Sequence, residues 1–380
     1  MKAIRNIVDK IKPTFSKGGK LGFLHSTFDA FETFLFVPNT TTQHGAHIRD
    51  CNDIKRTMIT VVVALIPALL FGCYNTGLQV GLEGLTAFAY GLVRILPMIA
   101  VSYIVGLGIE FTVAQWRGHE VNEGFLVSGL LIPLVMPVST PLWMVGIGTA
   151  FAVIFGKEIF GGTGMNVFNP AVLARAFVFF AYTPQMSGET VWYSTWKMFG
   201  ATDAQTGATA LEQLASKGEM QWSALDAFLG FIPGSFGETS TLAILLGGAL
   251  LLFTGVASWK TMVSVFVGGL GMAYLFDLCG VGAIGSQDVE PYMHLLVGGF
   301  AFGAVFMATD PVTSAQTSTG KYIVGFMTGA IAILIREINP AYPEGMMLSI
   351  LFMNALAPLV DYFVVEANIR RRKNRVKIAK

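Results

Sequence analysis

Runs of about twenty apolar residues recur along most of this chain, and no other feature limits its fold so strongly. A helix needs about 20 such residues to cross the roughly 30 Å hydrocarbon core of a bilayer. The runs lie at 57–75, 95–115, 122–137, 142–157, 170–183, 240–257, 261–279, 290–308, 322–336 and 345–365. They predict an all-α integral membrane protein of about ten transmembrane helices, several of them short and broken by Gly or Pro. The composition agrees: charged residues make up 13% of the chain, whereas a soluble domain carries about a quarter. Its 43 glycines and 15 prolines are tolerated in membrane helices, where neighbouring segments satisfy freed backbone groups.

Several function classes drop out. A net charge of +1 gives no basic field for nucleic acid. Cys51, Cys73 and Cys279 form no C-x-x-C pair, so neither a disulfide framework nor an iron–sulfur or zinc set is expected. His44 and His47 are the one close histidine pair, without further ligands, and no transition-metal site is expected. No cleavable signal peptide is expected, because the first long apolar run follows a polar stretch rich in Lys and Arg.

Charge sets the expected orientation. Residues 1–56 are polar and basic and form a cytoplasmic N-terminal segment. Within it Phe28, Phe31, Phe34, Leu35 and Phe36 make an apolar stripe suited to a short helix on the membrane surface or on a partner. Residues 57–365 form the transmembrane domain. Residues 366–380 form a basic cytoplasmic tail with Arg370, Arg371, Arg372, Lys373, Arg375, Lys377 and Lys380. Both termini cytoplasmic requires an even number of spans. Arg117, Lys157, Lys260 and Lys321 then fall on cytoplasmic turns, and Arg94, Lys197, Lys217 and Arg336 fall outside. The long connection 184–238 follows the fifth span and lies outside. Loops of that length tend to be functional.

The chain also repeats itself. Residues 142–159 align without gaps with 321–338, matching Val, Gly, Thr, Ile, Glu and Ile. Gly124-Phe125 pairs with Gly299-Phe300, and Pro137-Val-Ser139 with Pro311-Val-Thr313. Asn169-Pro170 is echoed by Asn339-Pro340. Two halves of about five spans each must be inverted relative to one another, an arrangement that places a binding site between halves near broken helices.

Four groups of residues point to chemistry. The loop Asp203-Ala-Gln-Thr-Gly-Ala-Thr209 presents a threonine among small residues, open to a bulky donor. The same Thr209 also fits an N-cap of a helix through Ala210-Leu-Glu-Gln-Leu. Gly161-Gly-Thr-Gly164 with Asn166 and Asn169-Pro170 is a glycine-rich break before a short helix, whose N-terminal amides face whatever sits there. It lacks the lysine of a phosphate loop and the spacing of a dinucleotide fingerprint. Glu110, Arg175, Asp277, Asp310 and Asp361 are ionisable groups in or at the ends of apolar runs, where they are costly and mark functional candidates. A hard cation such as Na⁺ takes oxygen ligands, which carboxylates beside broken helices provide. Phe302 and Phe306, four residues apart, can form an apolar constriction. Gly106-Leu107-Gly108 beside Glu110 leaves room for a flat head group, or for close helix packing.

The loop pattern D-x-x-[S/T]-G-A-T resembles the flavinylation signature of the family that joins B subunits of Na⁺-translocating NADH:quinone oxidoreductases with D subunits of Rnf complexes. Further stretches carry the resemblance: His47-Ile-Arg-Asp50, His119-Glu-Val-Asn-Glu-Gly-Phe125, Phe160 to Pro170, Met307-Ala-Thr-Asp-Pro311 and Asn339 to Met347. It runs from the N-terminal segment to the basic tail. The resemblance implies a phosphodiester-linked FMN on Thr209, with Asp203, Thr206, Gly207 and Ala208 as the motif around it. Thr206 stands where the family often has Ser. It implies a non-covalent riboflavin contacted by Asn166 and Asn169. It implies Na⁺ uptake or passage at Glu110, Asp310 and Asp361, with Phe302 and Phe306 lining the path. A quinone site is implied at Gly106, Leu107 and Gly108, where Leu107 replaces a glycine of the family.

The implied activity is that of one subunit of a Na⁺-transporting NADH:ubiquinone reductase, a translocase of the bacterial inner membrane. The implied partners are an NADH-oxidising flavoprotein/iron–sulfur subunit, a second covalent-FMN subunit, small membrane subunits, quinone and lipid. Two other readings stand beside it: the D subunit of an Rnf ferredoxin:NAD complex, for which the segment 1–56 is unexpected, and a secondary transporter without redox role, which has no need of the Thr209 loop.

Overall fold

The computed structural model describes residues 2–15, 54–118, 124–186, 209–215, 222–282, 289–339 and 344–378, with isolated residues between 22 and 48. No strand occurs among them. The helices are α1 (Lys2–Phe15), α2 (Ile54–Leu78), α3 (Gly84–Arg117), α4 (Phe125–Leu134), α5 (Leu142–Val153), α6 (Pro170–Ala181, followed by one helical turn at Thr183–Met186), α7 (Ala210–Ala215), α8 (Ala224–Leu229), α9 (Thr241–Phe253), α10 (Trp259–Cys279), α11 (Met293–Leu296), α12 (Phe300–Phe302), α13 (Ser318–Ile338) and α14 (Met346–Ile378). Two end in π-helical turns: α5 runs on through Ile154–Glu158 and α12 through Gly303–Met307.

Five helices, α2, α3, α10, α13 and α14, are long and apolar enough to cross a membrane. The 25 residues of α2 extend about 37 Å at 1.5 Å per residue. The 10 residues of α4 reach about 15 Å, half a bilayer. Leu70, Leu96, Ile104, Phe253 and Leu278 point outward although large and apolar, as they would on a lipid-facing wall.

Every apolar run carries a helix, but several boundaries moved. The run expected at 95–115 begins at Gly84 and passes Pro97 without a break. The run at 290–308 is two short helices, because Gly298 adopts φ +72° between them. α14 continues through the basic residues of the tail to Ile378. At the N-terminus the helix lies at Lys2–Phe15. The expected helix over Phe28–Phe36 falls mostly outside the described residues, although the Phe28 ring stacks on Phe15 with centroids 4.9 Å apart.

The long helices approach one another through small residues. A side chain at Gly268 or Gly329 would drive into the backbone of Phe326 or Val265, so α10 and α13 touch backbone to backbone. Gly77 and Gly91 do the same for α2 and α3. Such contacts replace the hydrophobic effect, which gives no preference between helices in lipid.

One packing motif occurs twice. Phe125 opens α4 after Gly124, fills the space beside Gly106 of α3, and meets Tyr103 edge-on with centroids 6.2 Å apart. Phe300 opens α12 after Gly299, fills the space beside Gly269 of α10, and meets Phe266 with centroids 5.9 Å apart. In both places an aromatic and a glycine three residues apart on a long helix receive a Phe from a Gly-Phe helix start.

Candidate functional site

A cavity of about 120 Å³ opens where broken elements converge. Its wall draws on the start of α2, on α4, on the π turn after α5, on the loop before α6, on the end of α9 and on the turn after α12. Asn166, Asn169, Phe306 and Asp310 all line it, as does Lys157. Four of the residues singled out in the sequence thus meet in one place, from segments up to 144 positions apart in number, Asn166 to Asp310.

The loop before α6 is shaped by its glycines. Gly161, Gly162 and Gly164 take φ values of +120°, +98° and +90°, a region that residues with a Cβ rarely enter. This turn lays Thr163 against Gly124. Asn169 then caps α6. Its Oδ1 accepts from Ala171 N–H at 3.0 Å and Val172 N–H at 3.4 Å, with Pro170 in the first turn, where its missing N–H costs nothing. The other end of the amide donates from Nδ2 to Asp310 Oδ2 at 3.3 Å. Asn166 Nδ2 donates to Phe168 O at 3.1 Å.

Asp310 is half-buried in the turn after α12. Its Oδ1 accepts from Val312 N–H at 3.1 Å, and its Oδ2 from Thr313 Oγ1 at 3.1 Å. Burial raises its carboxyl above the ordinary range, opposed by the hydrogen bonds from Val312, Thr313 and Asn169. Asp361, on α14, closes the same turn from the other side. It accepts from Gln316 N–H at 2.6 Å and Thr317 N–H at 3.0 Å, and from Thr317 Oγ1. The two carboxylates therefore pin opposite ends of Pro311–Thr317. Asp361 does not line the cavity.

Glu110 lies inside the protein, 4% exposed, and takes a hydrogen bond from Lys157 Nζ. Phe302 and Phe306 lie 5.1 Å apart by ring centroid, across the π turn. Phe306 faces the cavity, and Phe302 sits deeper, against Gly237. At the expected quinone site the space beside Gly106 is taken by the Phe125 ring, Leu107 packs on the core, and Gly108 is exposed with open space beside it. Of the remaining membrane ions, Asp277 is exposed, and Arg175 is buried between Glu238 and Glu344.

Thr209 stands before α7, partly exposed. Its Oγ1 accepts from Glu212 N–H at 3.2 Å, so the capping role is real. Leu211 and Leu214 seat this short helix on Met293 and Val297 in a small core of their own. Asp203, Thr206, Gly207 and Ala208 lie outside the described residues.

Sequence reasoning missed Lys157, Glu238 and Glu344 as site residues. A signal existed for the first: in the repeat Lys157-Glu158 aligns with Arg336-Glu337. Both cations are buried, 4% and 1% exposed. Arg336 donates to His294 O at 2.6 Å and Val297 O at 3.3 Å.

Amides, hydroxyls, one ammonium and one carboxylate along an otherwise apolar wall suit a flat, mainly apolar ligand with a polar edge. In the chemistry of its lining, though not in its volume, the cavity suits a riboflavin ring. Long apolar helices, broken helices and a cavity with polar lining between them define the class: a polytopic helical membrane protein with a cavity at its broken elements. Within that class the chain belongs to the NQR2, RnfD, RnfE family, whose model matches residues 41–370. It is 46% identical to the B subunit of the Na(+)-translocating NADH-quinone reductase of Chromohalobacter salexigens, over 98% of this chain and 96% of that one. It is 46% identical to the protein of that name from Stutzerimonas stutzeri, over 97% and 98%, and 45% identical to that from Azotobacter vinelandii, again over 97% and 98%.

Proposed function

We propose that this chain is the membrane subunit of a Na⁺-pumping NADH:quinone oxidoreductase. In this reading it carries FMN on Thr209 and riboflavin in the cavity, passes electrons to quinone and conducts Na⁺ outward. The observation that carries the reading is the cavity itself, where Asn166, Asn169, Phe306 and Asp310 converge. The near full-length likeness to relatives bearing the reductase name supports it.

The proposed topology has ten spans in two inverted repeats, with both termini cytoplasmic in the bacterial inner membrane. Residues 1–56 form a cytoplasmic segment, 57–365 the membrane domain, and 366–380 a basic cytoplasmic tail. The duplicated Tyr103/Gly106/Phe125 and Phe266/Gly269/Phe300 packing supports the repeat. The loop 184–238 then carries Thr209 outside.

Bound flavins supply redox chemistry that amino-acid side chains lack. The chain's own residues do the rest. Asn166 and Lys157 offer polar contacts at the cavity edge. Asn169 holds Asp310 in place. Asp310 and Asp361 offer carboxylate oxygens to Na⁺ at one turn, and Phe302 with Phe306 form a constriction beyond it. Quinone approaches from the open face at Gly108, since Phe125 occupies the inner face. NADH oxidation belongs to a partner subunit.

The test is flavin fluorescence of the denatured chain on a gel, made in cells with the flavin transferase. A fluorescent wild-type band and a dark Thr209→Ala band are expected. A dark wild-type band removes the covalent flavin from the reading.

A further inference from the structure

Lys157 is a buried cation between the cavity and Glu110, and the function above makes no use of its bond to Glu110. It sits in the π turn after α5, 4% exposed. Such one-turn widenings of a helix often mark functional positions. On one side its Nζ donates to Glu110 Oε1 on α3. On the other side it lines the cavity, as the one Lys or Arg among the lining residues. An ammonium has three donors, so the bond to Glu110 leaves capacity for a second partner.

Glu110 is also 4% exposed, and its Oε2 is buried without a hydrogen-bond partner among the described residues. Leaving a buried carboxylate oxygen unpaired is costly. A pair built only for stability would satisfy both oxygens or be replaced by apolar residues. The bond to Glu110 uses one donor of the ammonium, and from its place in the cavity wall the same ammonium can also respond to charge inside.

We propose that Lys157 is a positioning residue that sets the electron affinity of the flavin in the cavity, and that Glu110 tunes it by sharing its charge. This rests on the flavin reading above. At low effective dielectric a nearby positive charge favours an added negative one. When one electron enters the cavity, Lys157 shifts its hydrogen bonding from Glu110 towards it. No covalent bond is made or broken, and no proton leaves Lys157.

The test is redox titration of the acid-extractable, non-covalent flavin in the assembled complex. Lys157→Gln should weaken binding of the reduced form about ten-fold relative to the oxidised form, a shift of about 59 mV to lower potential for one electron. Lys157→Arg should restore the potential. Glu110→Gln should move it the opposite way, upward, because the ammonium is no longer shared. Opposite signs separate charge tuning from loss of packing, which moves both variants alike. If Lys157→Gln fails to assemble, the upward shift in Glu110→Gln still decides the matter. Unchanged potentials, or shifts of one sign, overturn the proposal while leaving the flavin reading intact. A wild-type complex with no extractable flavin overturns both.

Discussion

Asn169 and Asp310 are 141 positions apart and are joined by one hydrogen bond, Nδ2 to Oδ2 at 3.3 Å. The same asparagine caps α6 through Oδ1. One side chain therefore fixes both the start of a broken helix and the orientation of a half-buried carboxylate far along the chain.

Replacing that asparagine separates its two roles. Asn169→Asp keeps an N-cap acceptor but sets a second carboxylate beside Asp310, and like charges that close disfavour ionising both. The Na⁺ concentration for half-maximal quinone reduction should rise several-fold, with little change in melting temperature. Asn169→Ala should also lower stability, by about 1 kcal/mol for the lost cap. A normal Na⁺ response in Asn169→Asp would remove the pair from the ion path.

The raised carboxyl of Asp310 sets a pH dependence. Burial disfavours its charged form, and only the charged form binds a cation well. Cation affinity should be full above the raised value and fall as pH drops through it. The fall therefore begins above the ~3.9 of free aspartate. Na⁺ titrations of activity at successive pH values above the ~3.9 of a free aspartate test this. In Asp310→Asn this pH-dependent component should vanish.

Asp361 accepts three hydrogen bonds at the start of α13, so a structural role competes with a transport role. Asp361→Ala removes both, whereas Asp361→Asn retains one acceptor oxygen without the charge. If Na⁺ is handled here, Asp361→Asn should raise the half-saturating Na⁺ concentration nearly as much as Asp361→Ala. A near-normal Asp361→Asn beside a defective Asp361→Ala would leave Asp361 as a cap alone.

Gly162 holds φ +98° in the loop that shapes the cavity. Gly162→Ala should cost on the order of 1–2 kcal/mol, as forced left-handed residues do. The strain falls on the loop bearing Thr163 and Asn166, so extractable flavin per complex should drop while fluorescence at Thr209 persists. Loss of neither would mean that the loop tolerates the change without reshaping the cavity.

Much of the architecture was legible from local properties. Each apolar run carries a helix because transfer into lipid and backbone satisfaction act on consecutive residues. The positive-φ glycines at 161, 162 and 164 coincide with a break read from the sequence. Thr209 was seen both as a motif residue and as an N-cap, and the cap is there. Local reading failed where packing chose between alternatives. Gly106 could border a head group or admit a neighbour, and the Phe125 ring settles its inner face.

By itself, then, the sequence determined that this chain is a bundle of apolar helices interrupted at set places, with Thr209 in a loop of its own. Those outcomes depend on residue type and short-range order. Only the tertiary structure decided that Lys157 meets Glu110, that Asn169 holds Asp310, and that Asp310 and Asp361 share one turn. A buried charge must find a partner, but its own neighbourhood in sequence does not say which. That choice is made when helices distant in the chain close on one another through their small residues.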